Sequence, residues 1–230
     1  NYKDEDKLIF EEKSEAFTVS IGLSSDEKYY FINTSDHNTS EQYYFNVDES
    51  DPLPKLIMKR DRGVLYSTNS WDGKFYNHTN KHAEDFKIDI TDSLEKQDWK
   101  PFISSKKEVL IGGLTFLKNW IIRSETSNAL DKLFVRNIST NIEQELIFSD
   151  ETIYVPGVSL AQRNRDTNEV YLGYSSPKTP SRVYKYNLFN KSKELVKEQE
   201  IPSGHNPENY IVERVEFKSH DGRMVPLTIT

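Results

Sequence analysis

Ser25-Asp-Glu-Lys-Tyr-Tyr30 and Trp71-Asp-Gly-Lys-Phe-Tyr76 lie about 46 residues apart and share one pattern, a polar turn feeding an aromatic strand. Trp120-Ile-Ile-Arg-Ser124 and Val170-Tyr-Leu-Gly-Tyr174 continue the series. The strand after each also repeats, at Gln42–Val47, Phe86–Ile90, Leu133–Ile138 and Val183–Leu188. A polar stretch and a fourth strand follow, at Lys55–Met58, Trp99–Ile103, Glu145–Phe148 and Glu194–Lys197. Four strands per unit at a spacing of about 44 to 50 residues is the content and period of a β-propeller blade.

The side chains support this count. A four-stranded antiparallel sheet cannot bury both faces alone, so consecutive sheets must stack face to face. Strands packed on both faces carry aromatic and β-branched residues at adjacent positions, as in Tyr29-Tyr30-Phe31-Ile32, instead of clean alternation. A generic β-sandwich with accidental spacing is the competing reading. Lys7-Leu-Ile-Phe10 reads as the last strand of an earlier blade, and Phe17–Ile21 as the inner strand of the next. The expectation is an all-β chain of about four blades with a scrap at each end, a partial array that does not close on itself.

The last residues form a different element. Val215, Phe217 and Ser219 alternate toward Asp221-Gly222, read as a two-residue turn, and Val225, Leu227 and Ile229 resume the alternation. The chain thus ends in a β-hairpin.

Composition excludes several functions. The chain has 230 residues, a formal net charge of −7 and no cysteine. An acidic balance argues against nucleic acid and anionic membranes, since phosphate binding needs a concentrated basic face. No apolar run approaches the length of a membrane span. Without cysteine there is neither a disulfide framework nor a thiolate zinc site, which fits a reducing compartment. No signal peptide is visible, although the first residue, Asn1, leaves a removed segment open. Sequons at Asn33, Asn38, Asn77, Asn137 and Asn190 are read as a product of Asn, Ser and Thr abundance.

Signals for catalysis are sparse. Gly157-Val-Ser-Leu-Ala161 matches the loose form of a nucleophile elbow. That motif needs a strained strand-to-helix turn, whereas here a polar turn and another strand follow, so Ser159 is assigned to a blade strand. His78 and His82 are four apart with Glu84 nearby, but in a strand-to-loop segment this spacing does not converge on a metal. His37 and His205 fall in loops and His220 at the hairpin turn. Gly112-Gly113 lies within an apolar strand, not a phosphate loop. Asp89, Asp92, Glu95 and Asp98 read as loop and edge charges. The residues themselves point to no catalytic, metal or cofactor site, and to a scaffold, binding surface or gate.

Several stretches carry a family resemblance. Asp6–Lys13 with Phe17–Ser20, Leu172-Gly-Tyr-Ser-Ser-Pro-Lys-Thr-Pro180 with Val183–Tyr186, and Asn206-Pro-Glu-Asn-Tyr-Ile-Val-Glu-Arg214 leading into Asp221-Gly-Arg-Met-Val-Pro226 resemble passages of the prolyl oligopeptidase family of serine peptidases, in its oligopeptidase B branch. The resemblance implies a seven-bladed propeller capping an α/β-hydrolase domain that cuts short peptides after Lys or Arg in the cytoplasm. It divides the chain into blades over 1–202, a linker over 203–212 and the start of a truncated peptidase domain over 213–230. The partners it implies are that peptidase domain, on the same or another chain, and short basic peptides. The family's nucleophile, triad and acidic specificity residues all lie beyond the hairpin, so none maps onto this chain. A stand-alone propeller for protein–protein binding is the alternative.

Overall fold

The computed structural model describes residues 6–230. The chain falls into two compact units, one running to Lys107 and the other spanning Glu108–Thr230. All regular structure is β, apart from a short 3-10 turn at Pro207–Asn209.

The first unit holds two antiparallel sheets, each a meander in chain order. One comprises β1 (Thr18–Leu23), β2 (Tyr29–Ser35), β3 (Ser40–Asn46) and β4 (Lys55–Met58), the other β5 (Tyr66–Trp71), β6 (Lys74–Thr79), β7 (Lys87–Thr91) and β8 (Lys100–Ile103). Each echoed aromatic strand is the second of its sheet. Phe31, Tyr44 and Ile57 from one sheet meet Tyr66 and Phe75 from the other, with Leu94 completing the cluster. Adjacent Phe31 and Ile32 are 4% and 3% exposed, so β2 is covered on both faces, as its unbroken apolar run requires.

The polar residues on these strands join the two sheets. The Ser40 hydroxyl donates to the Tyr66 carbonyl at 2.9 Å and accepts the Tyr66 N–H at 2.6 Å. The Gln42 carbonyl oxygen accepts the Thr68 N–H at 2.7 Å. The buried edge of β5 is thus hydrogen-bonded by side chains where no neighbouring strand runs. The Tyr66 hydroxyl accepts the Gln42 N–H and donates to the Met58 carbonyl, and burial pushes its pKa above the ordinary phenol value.

The second unit repeats this plan with β9 (Val109–Leu117), β10 (Trp120–Ser127), β11 (Leu130–Asn137) and β12 (Glu143–Glu145), then β13 (Val155–Leu160), β14 (Glu169–Ser175), β15 (Arg182–Asn187) and β16 (Lys193–Glu198). Leu117, Ile122, Leu133, Val135, Leu146 and Phe148 pack against Val170, Leu172, Tyr174, Tyr186 and Leu188. The β9–β10 register shifts between Arg123 and Glu125, a bulge that turns Ser124 toward Gly112. A Cβ at Gly112 would lie 2.0 Å from the Ser124 Oγ, which explains a glycine inside an apolar strand. The hairpin of β17 (Glu213–Lys218) and β18 (Met224–Ile229) completes the unit.

Four expectations are corrected. Lys7–Phe10 forms no strand; it is held by side chains, with the Phe10 ring 4.8 Å from that of Tyr43. The fourth strand of the third sheet spans only Glu143–Glu145; beyond it the Leu146 N–H still bonds the Leu133 carbonyl at 2.7 Å, and the Leu146 and Phe148 side chains fill the core. Asp89 is no loop or edge charge: it lies in the interior strand β7, 8% exposed, and pairs with Lys87 at 2.9 Å. The hairpin loop has three residues, not two. Gly222 N–H bonds the Ser219 carbonyl at 2.9 Å and Ser219 N–H bonds the Arg223 carbonyl at 2.8 Å. Gly222, at φ +86°, supplies the left-handed residue that this loop type needs after its turn.

Candidate functional site

Charge gathers in two clusters, one in each unit. In the first unit, Arg60 follows β4 and reaches back over the sheet. Its guanidinium donates to Glu41 at 2.8 Å and to Glu12 at 2.5 Å, and stands 4.2 Å from the Phe17 ring centre. Hydrogen bonding from Arg60 holds Glu12 below the ordinary carboxylate range. Burial alone would raise Glu41, but hydrogen bonds from Arg60 and from the Tyr43 hydroxyl outweigh it and leave the carboxyl low.

In the second unit, Arg123 is 4% exposed on β10. It donates to Glu125 at 2.7 Å and to Glu143 at 2.5 Å, and lies 4.7 Å from the Phe134 ring centre. Arg136 also donates to Glu143, at 3.0 Å. Burial pulls the Glu143 carboxyl up, but the two arginines bring it below its usual value.

These depressed carboxylates fix the acid response. Their stabilisation is fully present above the unfolded glutamate value of about 4.3 and is lost as pH falls through the lower folded values. A melting temperature followed from pH 7 downward should hold until about pH 5 and fall steeply below about pH 4. Glu41→Gln should weaken that acid-side slope. An unchanged slope would mean that the Arg60 cluster does not set it.

The individually flagged residues lie apart in the structure. Ser159 is an exposed ladder position on β13, opposite Tyr171, and the chain bends from there into β14 without a helix. His78, on β6, stacks on Phe86 with ring centres 4.6 Å apart, while His82 occupies a left-handed loop position at φ +57°. His37 and His220 are exposed in turns. Among the described residues, no group of three His, Asp or Glu side chains could hold a metal ion. Asp92 pairs with Lys74, Glu95 with Lys55 and Asp98 with Lys100, all at exposed positions. Asn77 is 2% exposed, so its sequon is closed to glycosylation in the folded chain.

The second unit also presents an open apolar surface. On the hairpin, Val215 pairs with Leu227, Phe217 with Val225 and Glu213 with Ile229, which puts five apolar side chains on one face. Phe217 is 66% exposed and Leu227 50%. Arg214 donates to the Thr228 hydroxyl at 3.1 Å and to the carbonyl of Asn128, in the β10–β11 turn. Upstream, His205 Nε2 donates to the Lys178 carbonyl at 2.7 Å. No spacing in the sequence signals the contact between His205 and Lys178.

Comparison with known proteins supplies the context. Residues 1–199 match the model of the prolyl oligopeptidase N-terminal β-propeller domain. Dipeptidyl aminopeptidase BI of Pseudoxanthomonas mexicana is 28% identical over 229 residues, covering 98% of this chain and 31% of that protein. Protease 2 of Moraxella lacunata is 26% identical over 235 residues, covering 97% of this chain and 32% of its own. Oligopeptidase B from Trypanosoma brucei, solved in a closed form with covalently bound antipain, superposes with a TM-score of 0.88 at 22% identity, over 99% of this chain and 34% of that one. Oligopeptidase B from Leishmania major superposes with a TM-score of 0.86 at 19% identity, over 97% of this chain and 33% of that one. The chain spans about a third of the length of the relatives it matches. No helix among the described residues is long and apolar enough to cross a membrane. With the family model covering most of its length, this chain belongs to the prolyl oligopeptidase family, of which it carries N-terminal β-propeller sequence.

Proposed function

We propose that this chain is part of the seven-bladed propeller cap of an oligopeptidase-B-like serine peptidase, acting in the cytoplasm on short peptides with cleavage after Lys or Arg. In this reading, residues 1–202 are blades, 203–212 an interdomain linker and 213–230 the first hairpin of the peptidase domain. The cap admits short peptides and obstructs folded proteins; the catalytic residues belong to the peptidase domain, and no cofactor takes part. The observation that carries the reading is the family match together with the hairpin. The alignments with full-length peptidases extend over nearly the whole chain, and the hairpin's apolar face stands open in the structure. A two-stranded ribbon with one bare apolar face is marginal alone and gains most by joining a larger sheet or packing layer.

Ser159 has no catalytic role in this reading. Acyl transfer requires a nucleophile, a base within hydrogen-bond reach and an oxyanion hole on one rigid support. A flat ladder position on β13 supplies the hydroxyl alone. The test joins this chain to the peptidase domain of a relative such as Protease 2 and measures hydrolysis of short peptides. Cleavage after Lys and Arg, blocked by serine-directed inhibitors and unaffected by Ser159→Ala, is expected. Cleavage confined to other residues would refute the specificity, and loss of activity in Ser159→Ala would refute the assignment of the chain as a non-catalytic cap.

A further inference from the structure

We propose that His205 is a latch that pins the connection between β16 and β17, and through it the hairpin, to the sheet β13–β16. The connection leaves the sheet after the Gln199 N–H has bonded the Ser181 carbonyl at 2.8 Å. It then reverses at Gly204, whose φ of +81° allows the turn and whose N–H bonds the Ile201 carbonyl at 2.9 Å. This reversal aims His205 back at the sheet.

The target is the turn after β14. Ser176 N–H bonds the Thr179 carbonyl at 3.1 Å, and Thr179 N–H bonds the Ser176 hydroxyl at 2.9 Å. The Thr179 hydroxyl, on a residue only 4% exposed, donates to Glu151 at 2.6 Å, which fixes the turn to the segment before β13. The Lys178 carbonyl, presented by this clamped turn, accepts the His205 Nε2–H at 2.7 Å. A carbonyl can only accept, so Nε2 is the donor here.

The other side of the latch is built locally. Asn206 caps the 3-10 turn Pro207–Asn209 by accepting the Glu208 N–H at 3.1 Å. That turn returns the Tyr210 ring onto the His205 ring, with centres 5.2 Å apart and planes inclined by 23°. The stack covers one face of the imidazole and restricts its rotamer, so the donor stays aimed at Lys178. Four residues on, Arg214 ties β17 to the Asn128 carbonyl. His205 and Arg214 hold the ribbon at two points, and release of the first frees the connection to swing about the second. These contacts lie within this chain and do not depend on the peptidase reading.

Hydrogen–deuterium exchange by mass spectrometry on the 230-residue chain tests the latch. His205→Ala should speed exchange of the amides of residues 201–212 by about five- to tenfold, the effect of losing one ordinary hydrogen bond from a local opening. Amides of β14 and β15 should keep their protection. His205→Gln, whose terminal amide donates from nearly the same reach, should stay within about twofold of the parent. Three results would each overturn the proposal: no acceleration in His205→Ala, equal loosening of β14 and β15, or a Gln variant as fast as the Ala variant.

Discussion

Arg123→Met should lower the unfolding free energy of the second unit by about 3–5 kcal/mol, because it removes one member of a buried ion cluster and leaves the others in place. Arg123 and Glu125 are 4% and 6% exposed. Their Coulomb attraction offsets the cost of taking both from water only while they remain together. Without the guanidinium, Glu125 would lose both of its bonds from Arg123, and part of its desolvation cost would go uncompensated. Glu143 would suffer less, since it keeps its bond from Arg136. Methionine retains part of the packing over Phe134, so the loss measured would be chiefly electrostatic. Replacing Glu125 by Met as well should recover a large part of the stability, since buried ion pairs exchanged for apolar residues of similar volume cost little. Urea unfolding followed by circular dichroism measures both variants. A single variant within about 0.5 kcal/mol of the parent, the range of an ordinary surface substitution, would show that this cluster is not desolvated as the structure has it.

The parts of the fold legible in the sequence were those where packing restricts residue type. Second strands such as Tyr29–Ser35 and Trp120–Ser127 are covered on both faces, and only runs of aromatic and β-branched residues suit that environment. The echo between Ser25–Tyr30 and Trp71–Tyr76 therefore identified equivalent strands. Strand ends were less legible because the same apolar residues serve a ladder or a core. Leu146 and Phe148 read as strand and instead close the core beyond β12. Lys7–Phe10 has strand composition, yet pairing depends on a partner strand, and here side-chain contacts hold it. Asp89 illustrates the opposite case: polarity suggested a loop, but an ion pair with Lys87 lets it occupy an interior strand.

The polar clusters escaped the sequence for a different reason. Glu12 and Arg60 are separated by 48 positions, and only the folded sheet brings them together. Arg123 and Glu125 are two apart, hence on one face of a strand, a signal that could have been read. The His205–Lys178 contact carries no such signal, since a backbone carbonyl as partner leaves no trace in residue identity.

The gating role proposed above implies a second large effect. A lid or cap that encloses a reaction excludes substrates it cannot admit, whatever bond they contain. A peptidase assembled from this chain and a relative's catalytic domain should therefore discriminate by size. One Arg-containing sequence would be offered as a short free peptide and as an exposed loop of a small folded protein. The short peptide should be cleaved with kcat/KM at least about 100-fold higher, roughly 2.7 kcal/mol in the barrier. That ratio should persist even after the loop is lengthened to relieve local strain. Comparison of kcat/KM for these two substrates tests the cap assignment most directly. A ratio of about 100 or more, with cleavage at the Arg in both, is the predicted result, and equal rates on the peptide and the folded protein would contradict it.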